Sequence, residues 1–280
     1  MKDWSSIDPW FLAEVEPVVE ELSEIVSPDQ ILLVGARCRD LLSSAFGLDA
    51  PRRSTNDTDV AVALQGWDQY GKVLEKFPST GHTGHRFMIG GIPTDVVPFG
   101  DVEAPPGISS RPPGKEALNV HGFRDVYERA DILPLSERVH IRIPRPEGYA
   151  ILKSHAWLDR SARNEYKDAP DLALAVCWYS EDVERVYADE NIWAMDLYDF
   201  DLRMAAAALL GRDMRNGLSS QGLAVLANRI GGADRQLLAH YFAVSSPGWP
   251  VRDEDRRPIV DALCDQLATE SRSVNPSVQH

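Results

Sequence analysis

Residues 9–26 read PWFLAEVEPVVEELSEIV, with Leu12, Val15, Val18, Val19, Leu22 and Val26 recurring at steps of three and four. That spacing predicts one buried helix face. Pro17 falls inside it and predicts a kink or a split into two. Ser27-Pro28-Asp29 ends the segment, and Ile31–Val34 is a short apolar strand stopped by Gly35. The next stretch, RCRDLLSSAFG, reads as a helix with Gly47 as its C-terminal cap. After the polar loop DAPRRSTN comes DTDVAVAL, which alternates strictly. Asp57, Asp59, Ala61 and Ala63 take one face; Thr58, Val60, Val62 and Leu64 take the other. Gly66-Trp67 opens a helix to about Phe77. HRFMI and IPTDVVPF then read as two strands joined through Gly90-Gly91 in a tight hairpin.

Residues 101–115 are rich in proline and glycine and predict a long loop, and residues 132–144 predict a hairpin or a pair of short strands. From Pro146 the period changes to that of helices, over 148–166, 169–187, 195–214 and 218–230. The chain therefore divides into an α/β part, 1–145, and a helical part, 146–270, with a polar tail, 271–280, expected to fray.

Composition narrows the field only a little. The chain has 280 residues, 44% of them hydrophobic, and a net charge of −14. So acidic a chain is not a general nucleic-acid coat, because such binding neutralises phosphates with Lys and Arg; a local basic pocket is still allowed. No run reaches the roughly 18 apolar residues that span a bilayer, and the polar N-terminus does not read as a secretory signal, so no membrane partner and a cytoplasmic location are expected. Cys38, Cys177 and Cys264 lie far apart without a CxxC, as expected of small core residues in a reducing compartment.

Three features carry candidate chemistry. Asp57 and Asp59 lie two apart on a strand, so their carboxylates share a face, where a cation between them relieves their repulsion. Hard oxygen ligands of this kind suit Mg²⁺ or Mn²⁺. Asp95 is a lone charge in the otherwise apolar strand IPTDVVPF; if that strand neighbours DTDVAVAL, Asp95 completes a carboxylate triad able to hold metal for displacement at phosphorus. Upstream, ILLVGARCRDLL reads strand, glycine turn, helix, and such a helix start offers N–H groups to a phosphate. Arg37 and Arg39 in its first turn are unfavourable for the helix itself, and a nearby anion would explain them.

This order of strand, glycine turn, helix, DxD strand and lone Asp resembles the nucleotidyltransferase superfamily related to DNA polymerase beta. The resemblance implies an α+β fold: a nucleotidyltransferase-like mixed sheet with flanking helices, followed by an all-α helical domain. It also implies that Gly35 and Ala36 form the triphosphate turn, with Arg37 beside it, and that Asp57, Asp59 and Asp95 are metal ligands. In the helical half, Lys153-Ser-His-Ala-Trp-Leu-Asp-Arg160, then Arg163 and Lys167-Asp168-Ala-Pro-Asp171, look like the AbiEii/AbiGii branch, the toxin component of type IV toxin–antitoxin systems. Carried over, Lys153 and Arg160 face nucleotide phosphates and Asp168 supports them. The turn departs from the family pattern at Ala36, where Ser or Gly is usual, and Ser154 follows the Lys where a hydrophobic residue is usual.

The resemblance implies a metal-dependent enzyme moving a nucleoside monophosphate from a nucleoside triphosphate to an acceptor hydroxyl, with a cognate antitoxin as a further partner. The acceptor stays open between an RNA end and a cationic small molecule of the aminoglycoside type, which the overall negative charge favours; a non-catalytic nucleotide- or partner-binding relative is the third alternative. Arg52 and Arg53 are candidate contacts to acceptor or nucleotide. Structural alternatives also stand: Lys153, Arg160 and Arg163 as a solvated face paired with Asp159, and Asp168 with Pro170 as a helix start. His82-x-x-His85 lacks further ligands for a metal, and Trp157 and Trp178 are read as packing residues.

Overall fold

In a computed structural model, Trp4, Ile7 and residues 9–48, 57–80, 84–110 and 117–268 are described. In chain order the elements are α1 (Glu16–Leu22), β1 (Ile31–Val34), α2 (Gly35–Ala45), β2 (Thr58–Leu64), α3 (Trp67–Lys76), β3 (Arg86–Ile89), β4 (Ile92–Gly100), β5 (Ile108–Ser109), β6 (Leu118–Asn119), α4 (Phe123–Arg129), β7 (Asp131–Pro134) and β8 (His140–Ile143). Then follow α5 (Pro146–Arg160), α6 (Asp168–Glu181), α7 (Val183–Val186), α8 (Ile192–Leu197), α9 (Leu202–Gly217), α10 (Ser220–Gly231), α11 (Arg235–Tyr241) and α12 (Asp253–Ala268). The architecture is α+β. The principal sheet is mixed and six-stranded, in the order β3-β4-β2-β1-β8-β7. Strand β2 runs parallel to β4 and antiparallel to β1, and β1 runs parallel to β8.

The two-residue alternation of β2 puts Thr58, Val60, Val62 and Leu64 in the core, at most 2% exposed. All four residues of β1 are buried, as the continuous apolar run requires of a central strand. Gly90 and Gly91 both adopt positive φ, +57° and +74°, which the tight β3–β4 hairpin needs. Gly47, at φ +70°, follows α2 as expected; its N–H bonds Ser44 O while Leu48 N–H bonds Ser43 O, a Schellman closure. In the helical half, α9 buries Ala205–Leu210 completely and packs on α5, α6, α8 and α12. The buried apolar side chains form one cluster that runs through both halves. Trp157 and Trp178 belong to it, and Trp178 Nε1–H donates to Ser43 Oγ, tying α6 to α2.

Several segments settle or differ from expectation: 169–187 is two helices, α6 and α7, broken at Asp182, and 9–26 is split in two, one of its two expected outcomes. Residues 9–26 form a 3-10 turn, Pro9–Phe11, and then α1, in which Pro17 occupies the first turn. Proline needs no N–H there, so it starts the helix instead of kinking it. The stretch 195–214 is two helices, α8 and α9, because Asp199 and Phe200 both take positive φ and Asp201 caps α9 through the N–H groups of Arg203 and Met204. The loop at 101–115 contains β5, paired with β6. The tail at 271–280 lies outside the described residues. Among the described residues no helix is long and apolar enough to cross a membrane.

Candidate functional site

Strand pairing brings the three sequence-predicted acids together. Asp59 and Asp95 are register partners on the parallel strands β2 and β4, so they point to the same face. Asp57 stands just before β2 on that face. Asp59 is also opposite Val34, the last residue of β1, which sets the acids at the mouth of the Gly35 turn. Gly35 has φ +68°, and a Cβ there would collide with the Asp59 carboxylate. Glycine is required for both reasons.

The electrostatics are those of crowded acids. Burial, then Asp95 and Asp57, push the Asp59 carboxyl up to about 6, against the pull of Lys153 and a hydrogen bond from the Ala36 N–H. Asp95 is likewise raised, first by burial and also by Asp57, while Arg86, His85 and Lys167 oppose the shift. Among the described residues, Asp95 Oδ1 is buried without a hydrogen-bond partner. Such an orphaned carboxylate oxygen is costly unless a cation or donor reaches it. Among the described residues no three Asp, Glu, His or Cys side chains stand ready around one point for a metal ion. Arg86 lies between two of the acids, with Nη2 3.0 Å from Asp57 Oδ2 and Nη1 3.7 Å from Asp95 Oδ2.

The helical half supplies cations. Lys153, on α5, lies 2.6 Å from Asp171 Oδ2 and 3.5 Å from Asp168 Oδ1. Arg160, two turns on, contacts both oxygens of Asp168 at 2.9 and 3.0 Å. Asp168 is fully buried at the start of α6. The N-cap position is Lys167, whose side chain makes no cap bond; Asp168 opens the helix, as the structural alternative had it, and its carboxylate also engages the two cations. Asp159, the alternative partner, engages Arg229 and the Asn119 amide. The solvated-face reading thus fits only Arg163, whose side chain is 67% exposed and 4.0 Å from Glu165.

The first-turn arginines of α2 find their anions within the protein. Arg37 pairs with Glu14. Arg39 is buried, bonds Asp40 and lies 3.7 Å from Asp171. Ala36 gives its N–H to Asp59. The three cysteines are free and buried, and burial pushes the Cys177 and Cys264 thiols up to about 12. Arg52, Arg53 and His82 lie outside the described residues. A cavity of about 440 Å³ sits elsewhere, at the far end of β4, lined by Gly100, Glu103, Gly107, His121 and Ser219 among others.

Arg86 was absent from the sequence reading, and Lys167, read there within the Lys167-Asp168 motif, was given no role at the acids. Arg86 was legible in principle: counting outward from Gly90-Gly91, Ile89 faces Ile92 and Arg86 faces Asp95. Lys167 had no such signal, since its influence on Asp95 depends on how α5 and α6 pack over the sheet. No family model, curated protein or solved structure matches the chain.

Proposed function

We propose that the protein is a metal-dependent nucleotidyltransferase, built on a nucleotidyltransferase-type sheet. The observation that carries the reading is the register pair Asp59–Asp95 at the Gly35 turn, with a Lys153 charge close enough to pull on Asp59. Acids on adjacent strands beside a glycine turn suit the handling of a polyphosphate.

The residues fit Mg²⁺ or Mn²⁺: the donors are hard carboxylate oxygens, crowded enough to raise Asp59, and one oxygen of Asp95 lacks a partner among the described residues. Asp57, Asp59 and Asp95 would hold the ion. When bound, it supplies neutralisation of phosphate charge and a lowered pKa for the acceptor hydroxyl. The protein's own part is placement. Gly35 and Ala36 give the triphosphate a close backbone approach. Lys153 and Arg160, oriented by Asp168, offset charge on the leaving pyrophosphate. Asp95 is placed to take the proton of the attacking hydroxyl, which bonds to the α-phosphorus as pyrophosphate departs.

Despite the net charge of −14, the permanent cations acting on the acids are Arg86, Lys153 and Lys167. Their sign favours an anionic acceptor such as an RNA end over a cationic small molecule. Membership of the AbiEii/AbiGii branch, a toxin role and an antitoxin partner rest on motif order alone.

The test is direct. Purified protein is incubated with each α-labelled nucleoside triphosphate, Mg²⁺ and total RNA, and label on RNA is measured alongside thermal melting. A triphosphate at a hundredfold excess over its Kd stabilises the folded state by about 2.7 kcal/mol. Transfer of label and a rise in melting temperature, both lost in Asp59→Ala, are expected. A melting point unmoved by all four triphosphates with Mg²⁺ or Mn²⁺ would defeat the reading.

A further inference from the structure

Arg86 occupies an unusual position. It sits on the edge strand β3, opposite Asp95 in the hairpin register, on the acid-bearing face. Its guanidinium reaches both Asp57 and Asp95. One carboxylate stands just before β2 and the other lies on β4, its parallel neighbour, and they would repel across the gap if nothing lay between them. Arg86 carries one charge there, and its side chain is 39% exposed, so it has solvent to swing into.

We propose that Arg86 is a built-in counter-ion that holds Asp57 and Asp95 together in the metal-free protein and competes with a divalent cation for them. The inference rests on the metal-site part of the reading above, not on the reaction. A cation that enters between the acids meets a guanidinium of like sign, and the two cannot share the same oxygens at contact distance. Metal entry is therefore coupled to Arg86 release. Once released, Arg86 remains tethered beside the site as a free cation with five donors, suited to a phosphate group. The planar fork explains why arginine serves here: two separate carboxylates can be bridged at once by Nη1 and Nη2, which a lysine point charge does not do.

The experiment needs no nucleotide. Mn²⁺ binding to nucleotide-free protein is titrated by the loss of free-ion paramagnetic resonance, for wild type, Arg86→Gln and the control Arg163→Gln. Arg86→Gln should bind Mn²⁺ about tenfold or more tighter than wild type. Its metal-free melting temperature should fall, and Mn²⁺ should restore more than the fall. Arg163→Gln should match wild type in both. Mn²⁺ affinity unchanged or weakened in Arg86→Gln would overturn the proposal.

Should Arg86→Gln fail to fold, wild type alone decides. Phenylglyoxal labelling of Arg86, followed by mass spectrometry, should accelerate when Mg²⁺ is added; a rate indifferent to Mg²⁺ overturns the proposal. The two readings fail separately. Tighter Mn²⁺ in Arg86→Gln without nucleotidyl transfer supports the counter-ion and removes the enzyme. Transfer by wild type with unaltered Mn²⁺ affinity in Arg86→Gln does the reverse.

Discussion

Two charge clusters meet above the sheet, and they are built on opposite principles. In the α5–α6 cluster every acid has cations in contact: Asp168 takes Lys153 and Arg160, and Asp171 takes Lys153 and Arg39. In the sheet cluster Arg86 is, among the described residues, the one cation in ion-pair contact with the acids, reaching Asp57 and Asp95, and Asp95 keeps an oxygen without a partner there. A balanced buried cluster fixes geometry and is costly to break. An unbalanced one is strained by its own charge and has capacity for a further cation. The pairing of the two makes sense if one holds cations rigid for a phosphate and the other accepts a metal.

The sharpest way to break this comparison is to remove the hub of the balanced cluster. Asp168→Ala removes the fully buried carboxylate that Lys153 and Arg160 share, leaving Lys153 with Asp171 and the partly exposed Arg160 without its partner. Removing one partner of a fully buried pair costs about 3–5 kcal/mol; with Lys153 still paired to Asp171 and Arg160 partly exposed, the lower end, about 3 kcal/mol, is expected. Urea unfolding of Asp168→Ala should show a loss of that order, and nucleotide-induced melting shifts should vanish with it. A loss under about 1 kcal/mol, the exposed-pair range, would mean that this cluster is no more structural than a surface ion pair.

Gly35→Ala strikes where the glycine turn touches the acids. The added methyl both demands an unfavourable positive φ and displaces the Asp59 carboxylate. Holding alanine there should cost roughly 1–3 kcal/mol. Transfer activity should be lost even under conditions where the variant is fully folded. Retained activity would separate Asp59 from the chemistry.

The acids themselves should behave in the opposite sense from Asp168. The carboxyl of Asp59 is raised to about 6, so between its ordinary value near 3.8 and 6 the folded protein holds the proton more tightly than the unfolded chain. Stability from Asp59 is therefore full below about pH 4 and is lost as pH rises through about 6. In metal-free buffer, Asp59→Asn should exceed wild type at pH 7.5 by on the order of 1 kcal/mol and lose that advantage below pH 4. Urea midpoints across this range check it. A variant less stable than wild type at neutral pH, without metal, would show that the Asp59 carboxylate contributes more through its contacts than it costs through crowding.

Much of this contrast was readable from residue order, and the reason differs by element. The alternation of DTDVAVAL placed Asp57 and Asp59 on one face, because side-chain direction on a strand is a local property. The neighbour relation of β2 and β4 is not local, so the position of Asp95 was conditional on a pairing that only the sheet reveals. The acid that neutralises Arg37 was missed for the same reason, since Glu14 arrives from a distant segment; for Arg39 the adjacent Asp40 was in plain sight and only the longer contact to Asp171 is non-local. The arginines had instead suggested a bound anion. The break at Asp199-Phe200 escaped because neither residue type announces positive φ, and periodicity continued across it. Helices α11 and α12 carry no chemistry-bearing motif and went unread, although α12 packs extensively on the buried helix α9.

The smallest effect tests whether the cations of α5 act through fixed geometry or through general charge. Arg160 and Arg163 lie three residues apart, and a diffuse basic surface would use both alike. The structure treats them differently: Arg160 contacts both oxygens of the buried Asp168, whereas Arg163 extends into solvent near Glu165. Exposed pairs of that kind contribute little, and surface changes stay within about 0.5 kcal/mol. Arg163→Ala should therefore keep wild-type stability within that margin and keep nucleotide-induced stabilisation. Arg160→Ala should lose most of that stabilisation, since it removes one of the two cations that Asp168 orients. Parallel melting curves with and without triphosphate and Mg²⁺ decide the matter. Equal losses in the two variants would mean that net positive charge near the acids, not the Asp168-anchored arrangement, is what the nucleotide feels.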